Sequence, residues 1–312
     1  MPTIGLLFPP ARHRAPKPPE QTAIGRAALR AHAEGLTLVM GDTVTAGTLT
    51  GERAVPGRWA PTGPVPVDAW VTRYPMRDRP EAWAAIAAEL GERPVVNPPQ
   101  LTRLCLDKLK TQHVLAAAGV PQPEVTGTDL HAALDRWGTA FLKPRFGAFG
   151  EGVQQVVPGT MLPDDGHWIL QQAVPPPSNW AGVSVRVLVQ RDPGGTWLAC
   201  APAVRRHATD AVVNRARGAE VAAPEVLSAR TRDLLNDHAL AAAHALSGQP
   251  QGEHLAELGV DLVIDHTGFP WVIEVNGTPR GRLAVLAERW PDRFTAAHEA
   301  AILRPFRFAA AL

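Results

Sequence analysis

Short apolar runs alternate with helical patterns along the first hundred residues. The runs TIGLLF (3–8), LTLVMG (36–41) and DAWVTRY (68–74) predict strands, because each is brief and rich in strand-forming residues. The stretches 22–35 and 80–92 predict helices, since their apolar residues recur at helical spacing. Strand–helix–strand order predicts a small parallel α/β domain.

Turn-forming residues divide the chain. The stretch 51–66 is rich in Gly and Pro and predicts a loop, and VVNPPQ (95–100) marks a boundary. We therefore predict an α/β domain over residues 1–96 and a second domain over residues 97–312.

The second domain has two parts with different patterns. A predicted helix over 102–119 leads into a mixed segment, about 125–175, with one helix and three strands. From residue 183 onward the pattern is antiparallel, and RDPGG joins two strands as a hairpin turn. A long helix (224–248), a final hairpin and an amphipathic tail helix (about 291–312) complete the prediction.

Composition excludes several classes of protein. The chain has 312 residues, of which 45% are hydrophobic and 20% charged, as in a soluble globular protein. A net charge of +1 argues against a nucleic-acid or polybasic membrane surface. No apolar run reaches the roughly 18 residues of a membrane span, and the N-terminus lacks the basic region of a signal peptide. Cys105 and Cys200 are too few for a disulfide framework or a zinc cluster, so we expect a cytoplasmic protein.

Lysine is rare here, which draws attention to FLKPRFGAFGEG (141–152). Only four of the 31 basic residues are lysines, and Lys143 lies inside an apolar strand just before three glycines. The order differs from the Walker and dinucleotide-binding motifs. Two interpretations stay open from these residues alone: a hairpin turn with a solvated lysine, or a loop that lets backbone N–H groups approach an anion.

The last hairpin carries a candidate metal site. Asp261 lies in its first strand, and Glu274 and Asn276 lie two apart in its second, on one face. Two carboxylates and a carboxamide are the hard oxygen ligands that Mg²⁺ prefers beside phosphate. Ordinary polar strand ends are the alternative, but Glu274 is flanked by apolar residues, where an unpaired carboxylate would be costly.

Taken together, these motifs resemble the ATP-grasp superfamily. The likeness is to the branch of the ribosomal-protein-S6 glutamate ligase, the lysine-biosynthesis ligase and bacterial glutathione synthetase, with some likeness to spore-coat-associated members. It covers about residues 97–282, and its matching stretches are DKLKTQHVLAAAGVPQPEV, FLKPRFGAFGEGV, WILQQAV, VRVLVQ, AVRRHATDAVVNRARG and GVDLVID…WVIEVNGTP.

The resemblance implies an ATP-grasp fold, in which two α+β subdomains grip ATP, preceded by a parallel α/β domain. Residues of about 125–175 would form a mobile lid. The implied contacts to ATP comprise the two phosphate lysines, the glycine flap and the adenine hinge: Lys108, Lys143, Gly147, Gly150, Gly152, Gln171, Gln172 and Val174. Asp261, Glu274 and Asn276 would hold two Mg²⁺ ions, or Mn²⁺ in their place.

Three further residues would contact the γ-phosphate and the acyl substrate: Arg186, Arg205 and Asn214. Other interpretations of each remain. Arg186 lies on the opposite face of its strand to the neighbouring valines, and that face could be solvent. Arg205 and Arg206 are adjacent and point oppositely, so only one can serve the site. Asn214 could simply be a turn residue.

The chain departs from the related ligases at two positions. Gln172 stands where they often have Glu, and Ser184 where they often have Asp, so no carboxylate for the ATP ribose is evident. Arg280 and Arg282 follow the metal strand and could bind a carboxylate or be surface charges.

The resemblance implies an ATP- and Mg²⁺-dependent ligase that joins a small-molecule or peptide carboxylate to an amine through an acyl phosphate. Nucleic acid and membrane are not expected as partners, and homo-oligomers are left open. Two alternatives remain: an ATP-binding structural or regulatory protein without ligase turnover, and an ATP-grasp phosphotransferase that stops at a phosphorylated product.

Overall fold

A computed structural model describes residues 2–7, 22–72, 80–147, 150–163, 165–213, 218–279 and 283–312. Within them the strands form three sheets. The first sheet and its helices comprise β1 (Thr3–Leu7), α1 (Ala23–Ala33), β2 (Thr37–Thr45), β3 (Thr48–Val55), β4 (Arg58–Pro66), β5 (Ala69–Thr72), α2 (Pro80–Glu89) and β6 (Val95–Val96). The strand order is β4-β3-β2-β1-β5-β6, and β1 pairs in parallel with β2 and β5 as the pattern predicts.

The loop predicted over residues 51–66 is wrong, because this stretch supplies strands β3 and β4 in an antiparallel extension of the sheet. The glycines and prolines of this stretch are explained by strand packing and strand position rather than by a loop. A Cβ on Gly51 would lie 2.0 Å from the carbonyl oxygen of Met40, so glycine permits close strand approach. Pro61, Pro64 and Pro66 lie in β4, the edge strand, where a missing N–H is tolerated, and Pro56 lies in the turn before it.

The predicted helix over 102–119 is two helices, α3 (Pro99–Leu106) and α4 (Lys108–Ala117). Asp107 ends the first and caps the second, since its Oδ1 accepts from the N–H of Lys110 at 3.2 Å. The same residue forms an isolated antiparallel bridge with Phe146, in the loop after Lys143. This long-range pairing explains the break, which helical periodicity could not reveal.

A small second sheet carries the lysine strand. Its elements are β7 (Val125–Thr126), α5 (Leu130–Trp137), β8 (Ala140–Pro144), β9 (Gln154–Val156) and β10 (Trp168–Gln172), in the strand order β7-β10-β8-β9. All of its pairs are antiparallel. One side packs on α5 through Leu130, Leu134 and Leu142, which leaves the other side for a neighbouring layer.

The third sheet and its helices comprise β11 (Gly182–Arg191), β12 (Trp197–Ala199), β13 (Ala203–His207), β14 (Glu220–Ala222), α6 (Ala229–Ser247), β15 (Glu257–Ile264) and β16 (Pro270–Asn276). The order is β14-β13-β11-β15-β16, with β12 also on β11. Val185 and Val187 of β11 are buried in one core with Leu235 of α6. Arg186, between the valines, therefore faces the opposite side.

Two C-terminal helices, α7 (Ala284–Arg289) and α8 (Pro291–Ala309), end the chain. Helix α8 packs on the first sheet, because Ile302 and Phe306 share a core with Ile4 and Leu6 of β1. The division at residue 96 stays a proposal, and this helix ties the two parts together. No helix in the described ranges is both long and apolar enough to cross a lipid bilayer.

Asn97 joins the first sheet to the third. Its Nδ2 donates to the carbonyl oxygen of Glu257 at 2.7 Å and to that of Gly277, while its Oδ1 accepts from the N–H groups of Ala256 at 2.9 Å and Glu257 at 3.1 Å. The side chain is buried, and its backbone has a φ of 56°. One amide thus satisfies four buried backbone groups near the ends of β15 and β16.

Replacing Asn97 by Gly removes these bonds while keeping the left-handed backbone accessible. We expect the free energy of unfolding to fall by about 3 kcal/mol, because buried N–H and C=O groups lose their partners. Asn97→Ala should lose about 1 kcal/mol more through backbone strain. Urea denaturation of the two variants separates the contribution of the hydrogen bonds from that of the backbone strain. Wild-type stability in Asn97→Gly would show that the Asn97 side chain does not stabilise the junction of the sheets.

Candidate active site

A cavity of about 750 Å³ lies between the second and third sheets. Its wall brings together nearly all the residues that the sequence singled out: Lys108, Lys143, Gly147, Gly150, Gln171, Gln172, Val174, Arg186, Arg205, Asp261, Glu274 and Asn276. These residues come from stretches up to 168 positions apart, so only the packing of the sheets collects them.

The metal candidates meet through strand register. Asp261 of β15 is paired with Glu274 of β16, and Gly259 with Asn276. The Nδ2 of Asn276 donates to Oδ2 of Asp261 at 2.9 Å. The hairpin therefore places two carboxylates and a carboxamide side by side, as the spacing predicts.

Asp261 is held by two arginines. Arg186, its register partner on β11, donates from Nε to Oδ1 at 2.8 Å and from a terminal nitrogen to Oδ2. Arg205 of β13 donates to Oδ1 at 2.9 Å. Burial by itself would raise the pKa of Asp261, but the charges of Arg186 and Arg205 outweigh it and hold this pKa below its ordinary value.

Glu274 has the opposite balance. Burial and the adjacent charge of Asp261 raise its pKa, against the opposing attraction of Lys108 and Lys143. Within the described residues no hydrogen bond reaches the Glu274 carboxylate, and the side chain is only partly covered at the cavity wall. This carboxylate is the natural oxygen for a cation to bind.

Lys143 is buried on β8, where its ammonium donates to Oε1 of Gln171 on the paired strand β10. Burial lowers the pKa of Lys143 to about 8, with a smaller lowering from Lys108 and an opposing effect of Glu274. A lysine with this pKa carries its charge at neutral pH and loses it in mild alkali.

The helix break at Asp107 positions Lys108. Asp107 forms a bidentate ion pair with Arg145, with distances of 2.8 and 2.7 Å, and so fixes the loop after β8 against α4. The Lys108 ammonium then donates to the carbonyl oxygens of Gly147 at 2.8 Å and Pro144 at 3.3 Å. Both lysines thus lie at the base of the glycine loop.

The glycines of that loop differ in their surroundings. Gly147 and Gly150 line the cavity. Gly152 is not brought to its wall: with a φ of 69°, it packs at the turn, where a Cβ would lie 2.9 Å from Pro144. Turn geometry and close packing on Pro144 account for a glycine at this position, and the contact of Gly152 to ATP stays a prediction. Phe149 lies outside the described residues.

The residues of the predicted adenine hinge lie on strand β10 and just beyond its end. Gln171, Gln172 and Val174 all line the cavity, and Gln171 also accepts a hydrogen bond from Lys143. Val174 lies beyond the last strand residue, and among the described residues its N–H makes no hydrogen bond. A free backbone N–H at the cavity wall can serve the edge of a heterocyclic base.

The two adjacent arginines of β13 point to opposite faces of the strand, as strand alternation predicts. Arg205 reaches Asp261, whereas Arg206 lies over the ring of Trp180 at 4.4 Å and pairs with Glu220 at 3.0 Å. Trp180 belongs to the PPPSNW segment that follows the hinge. Asn214, Arg280 and Arg282 lie outside the described residues.

Sequence reasoning did not select two features of the site. One is the Asp107–Arg145 pair, which the sequence did not indicate because Asp107 lies inside the single helix predicted over 102–119. The other is Ser184, noted only for a missing carboxylate. Its buried Oγ has no hydrogen-bond partner among the described residues and lines the cavity. Ser184 lies two residues before Arg186, so strand alternation predicts that both share a face.

The donor set fits a hard divalent cation. The described residues contain no cluster of three or more His, Cys, Asp or Glu side chains that could hold a metal ion. Glu274 nevertheless offers an oxygen free of hydrogen bonds. Asn276 uses its amide nitrogen on Asp261, which keeps Oδ1 as an acceptor. Such a set, with phosphate oxygens added, suits Mg²⁺.

Comparisons with known proteins agree on the fold. Residues 160–312, just under half of the chain, match the family described as YheC/D like ATP-grasp. No curated protein matches the chain in sequence.

Solved structures are similar over nearly the whole length. D-cycloserine synthetase DcsG is 19% identical with a TM-score of 0.61, covering 99% of this chain and 98% of its own. VanG D-Ala:D-Ser ligase from Enterococcus faecalis is 12% identical with a TM-score of 0.62 and 99% coverage of both chains. A RimK domain ATP-grasp protein from Sphaerobacter thermophilus is 18% identical with a TM-score of 0.54, covering 97% of this chain and 98% of its own. At these identities the likeness establishes the ATP-grasp fold alone.

Opposite pKa shifts predict opposite effects of neutralising the two carboxylates. Glu274→Gln should raise the free energy of unfolding at pH 7, because the fold disfavours the charged form of a group whose pKa it raises. Asp261→Asn should lower it by about 3 kcal/mol, because two guanidinium groups lose their buried partner.

Chemical denaturation at pH 7 and pH 5 measures both effects. The gain of Glu274→Gln should shrink at pH 5, since the raised folded-state pKa means that wild-type Glu274 takes up its proton, and recovers stability, as the pH falls. A destabilised Glu274→Gln protein would show that its attraction to the lysines dominates.

Proposed function

Since this chain is an ATP-grasp protein by its fold, we propose that it is an ATP- and Mg²⁺-dependent ligase that joins a carboxylate to an amine. One observation carries the proposal: Lys108, Lys143, Arg186 and Arg205 converge on one cavity with Asp261, Glu274 and Asn276. Phosphoryl transfer needs just this combination of positive charge and oxygen ligands, because catalysis consists mainly of alignment and charge neutralisation.

The nucleotide would lie along the cavity with its base at the hinge and its phosphates at the lysines. Val174 offers a backbone N–H to the base edge, and side-chain identity matters little there. Lys108 and Lys143 would face the α- and β-phosphates, and the backbone at Gly147 and Gly150 would face the outer phosphates. The absence of a side chain at each of these two glycines allows the backbone to approach the ligand.

Glu274, Asp261 and Asn276 would hold Mg²⁺, which supplies charge neutralisation for the transferring phosphoryl group. Arg186 and Arg205 would contact the γ-phosphoryl group and the carboxylate that attacks it. Attack of a carboxylate oxygen on the γ-phosphorus forms an acyl phosphate and releases ADP. An amine then attacks the acyl carbon, and the bond to phosphate breaks as the amide forms.

Neighbouring folds support a ligase over the alternatives. DcsG is named as a synthetase and VanG as a D-Ala:D-Ser ligase. A binding protein without turnover would not need two carboxylates beside four cationic side chains. A phosphotransferase needs the same groups, so the fate of the phosphorylated product decides between them. We propose a small-molecule or peptide carboxylate as substrate and a cytoplasmic location.

Acyl-phosphate trapping tests the reaction. With Mg²⁺–ATP, hydroxylamine and panels of amino acids and dipeptides, we expect ADP release that depends on a carboxylate and yields a hydroxamate. Arg205→Gln should reduce this turnover about a hundredfold, since it removes a donor to the transferring group. Arg206 lies over the ring of Trp180, so the control variant Arg206→Gln should retain this turnover.

ADP release with a stable phosphorylated product and no hydroxamate would instead identify a phosphotransferase. Nucleotide binding with no carboxylate-dependent turnover across the panels would favour a binding protein.

The pKa of Lys143 predicts how nucleotide binding depends on pH. Because this pKa is about 8, the ammonium is charged below pH 8 and neutral above it. The dissociation constant for Mg²⁺–ATP should therefore rise, by up to about tenfold per pH unit, as the pH increases above 8. Calorimetric titrations between pH 7 and 9.5 measure this slope.

Lys143→Arg keeps its charge over that range and should flatten the slope even if its affinity is lower. Lys110→Arg, on the exposed side of α4, is the control and should follow the wild type. A slope that persists in Lys143→Arg would assign the titration to another group.

A further inference from the structure

The Asp261 carboxylate is fully engaged by the protein. Oδ1 accepts from Arg186 at 2.8 Å and from Arg205 at 2.9 Å, and Oδ2 accepts from Arg186 and from Asn276 at 2.9 Å. A cation that binds this carboxylate must therefore take the place of a guanidinium group. Removing a partner from a buried ion pair is costly, because the remaining charge is left without compensation.

The charge of the cavity wall also disfavours binding of a cation alone. Among the described lining residues, four side chains are cationic, Lys108, Lys143, Arg186 and Arg205, and three are anionic. One of the anions, Glu151, is exposed. The inner cavity thus carries an excess of positive charge, which repels a free cation and attracts a polyanion.

A bound phosphate group would release the Asp261 carboxylate from the arginines and would also offset the positive charge of the cavity. Its oxygens accept charge-assisted bidentate bonds from guanidinium groups, so the arginines gain a new partner when they leave Asp261. Its charge also offsets the cationic wall, and Asp261 then becomes available to a cation.

We propose that Arg186 and Arg205 are exchangeable counter-ions of Asp261, so that the cavity binds a divalent cation tightly only together with an anionic phosphate ligand. This inference rests on the proposed nucleotide site and identifies the metal–polyphosphate complex as the species bound. Coupling of this kind is reciprocal: the cation tightens phosphate binding by the same factor as phosphate tightens cation binding.

Adjacent arginines on one strand provide a matched pair of variants. Arg205→Gln removes a counter-ion of Asp261, whereas Arg206→Gln removes the same charge one position away, on the Trp180 side. Arg186→Gln is an independent second test on another strand, should one variant be unstable. Thermal unfolding checks that each protein is folded.

Mn²⁺ binding, measured by electron paramagnetic resonance of the free ion, is the readout and needs no turnover. For the wild type we expect weak Mn²⁺ binding alone and at least tenfold tighter binding with a non-hydrolysable ATP analogue. Arg205→Gln should tighten binding of Mn²⁺ alone by about tenfold, the effect of one charged hydrogen bond. Arg206→Gln should match the wild type. In an Asp261→Asn background, Arg205→Gln should have no effect.

Three results would overturn the inference. The first is wild-type protein that binds Mn²⁺ alone as tightly as it does with the analogue. The second is unchanged binding of Mn²⁺ alone in both Arg205→Gln and Arg186→Gln. The third is equal tightening by Arg205→Gln and Arg206→Gln, which would indicate a general effect of net charge.

Failure of the proposed function has a different signature. The ATP analogue would then not bind with Mg²⁺ present, while Arg205→Gln would still tighten binding of Mn²⁺ alone if the counter-ion role is correct.

Discussion

A carboxylate removed from water stays charged only when positive groups compensate it, and the interior of this site depends on that constraint at Asp261. Arg186 and Arg205 supply the compensation from β11 and β13, and Asn276 adds a hydrogen bond from β16. One side chain on β15 thereby links four strands of the third sheet. Because the bonds also orient both guanidinium groups toward the cavity, the interaction that stabilises the sheet positions the proposed chemistry.

Glu274 carries an unfavourable negative charge in this site, because of burial and the adjacent charge of Asp261. It lies opposite Asp261 in the hairpin, without a hydrogen bond from the described residues, and the fold disfavours its charge. Proteins retain such a group where a ligand supplies the missing partner. In this structure Asp261 orients the two arginines, whereas Glu274, which accepts no hydrogen bond from the described residues, is the carboxylate more accessible to a cation.

A second carboxylate–guanidinium pair, Asp107–Arg145, fixes the second sheet beside this site. Asp107 interrupts the helix, caps its second half and pairs with Arg145 beyond the lysine strand. Lys108 follows directly in sequence and reaches the carbonyl oxygens of the loop. A local break in the helix thus joins two layers of the structure and brings Lys108 to the loop that follows β8.

The sequence by itself determined the parallel strands, the hairpins β11–β12 and β15–β16 and the order of the polar motifs, because these depend on alternation and spacing within about twenty residues. Only the tertiary structure decided between Arg205 and Arg206, interrupted the helix at Asp107, paired the Gly- and Pro-rich stretch 51–66 into strands and gave Asn97 its four partners. Each of these outcomes depends on the register between strands or on contacts between segments tens of residues apart. Local periodicity does not encode such contacts, since they form only when whole sheets pack together.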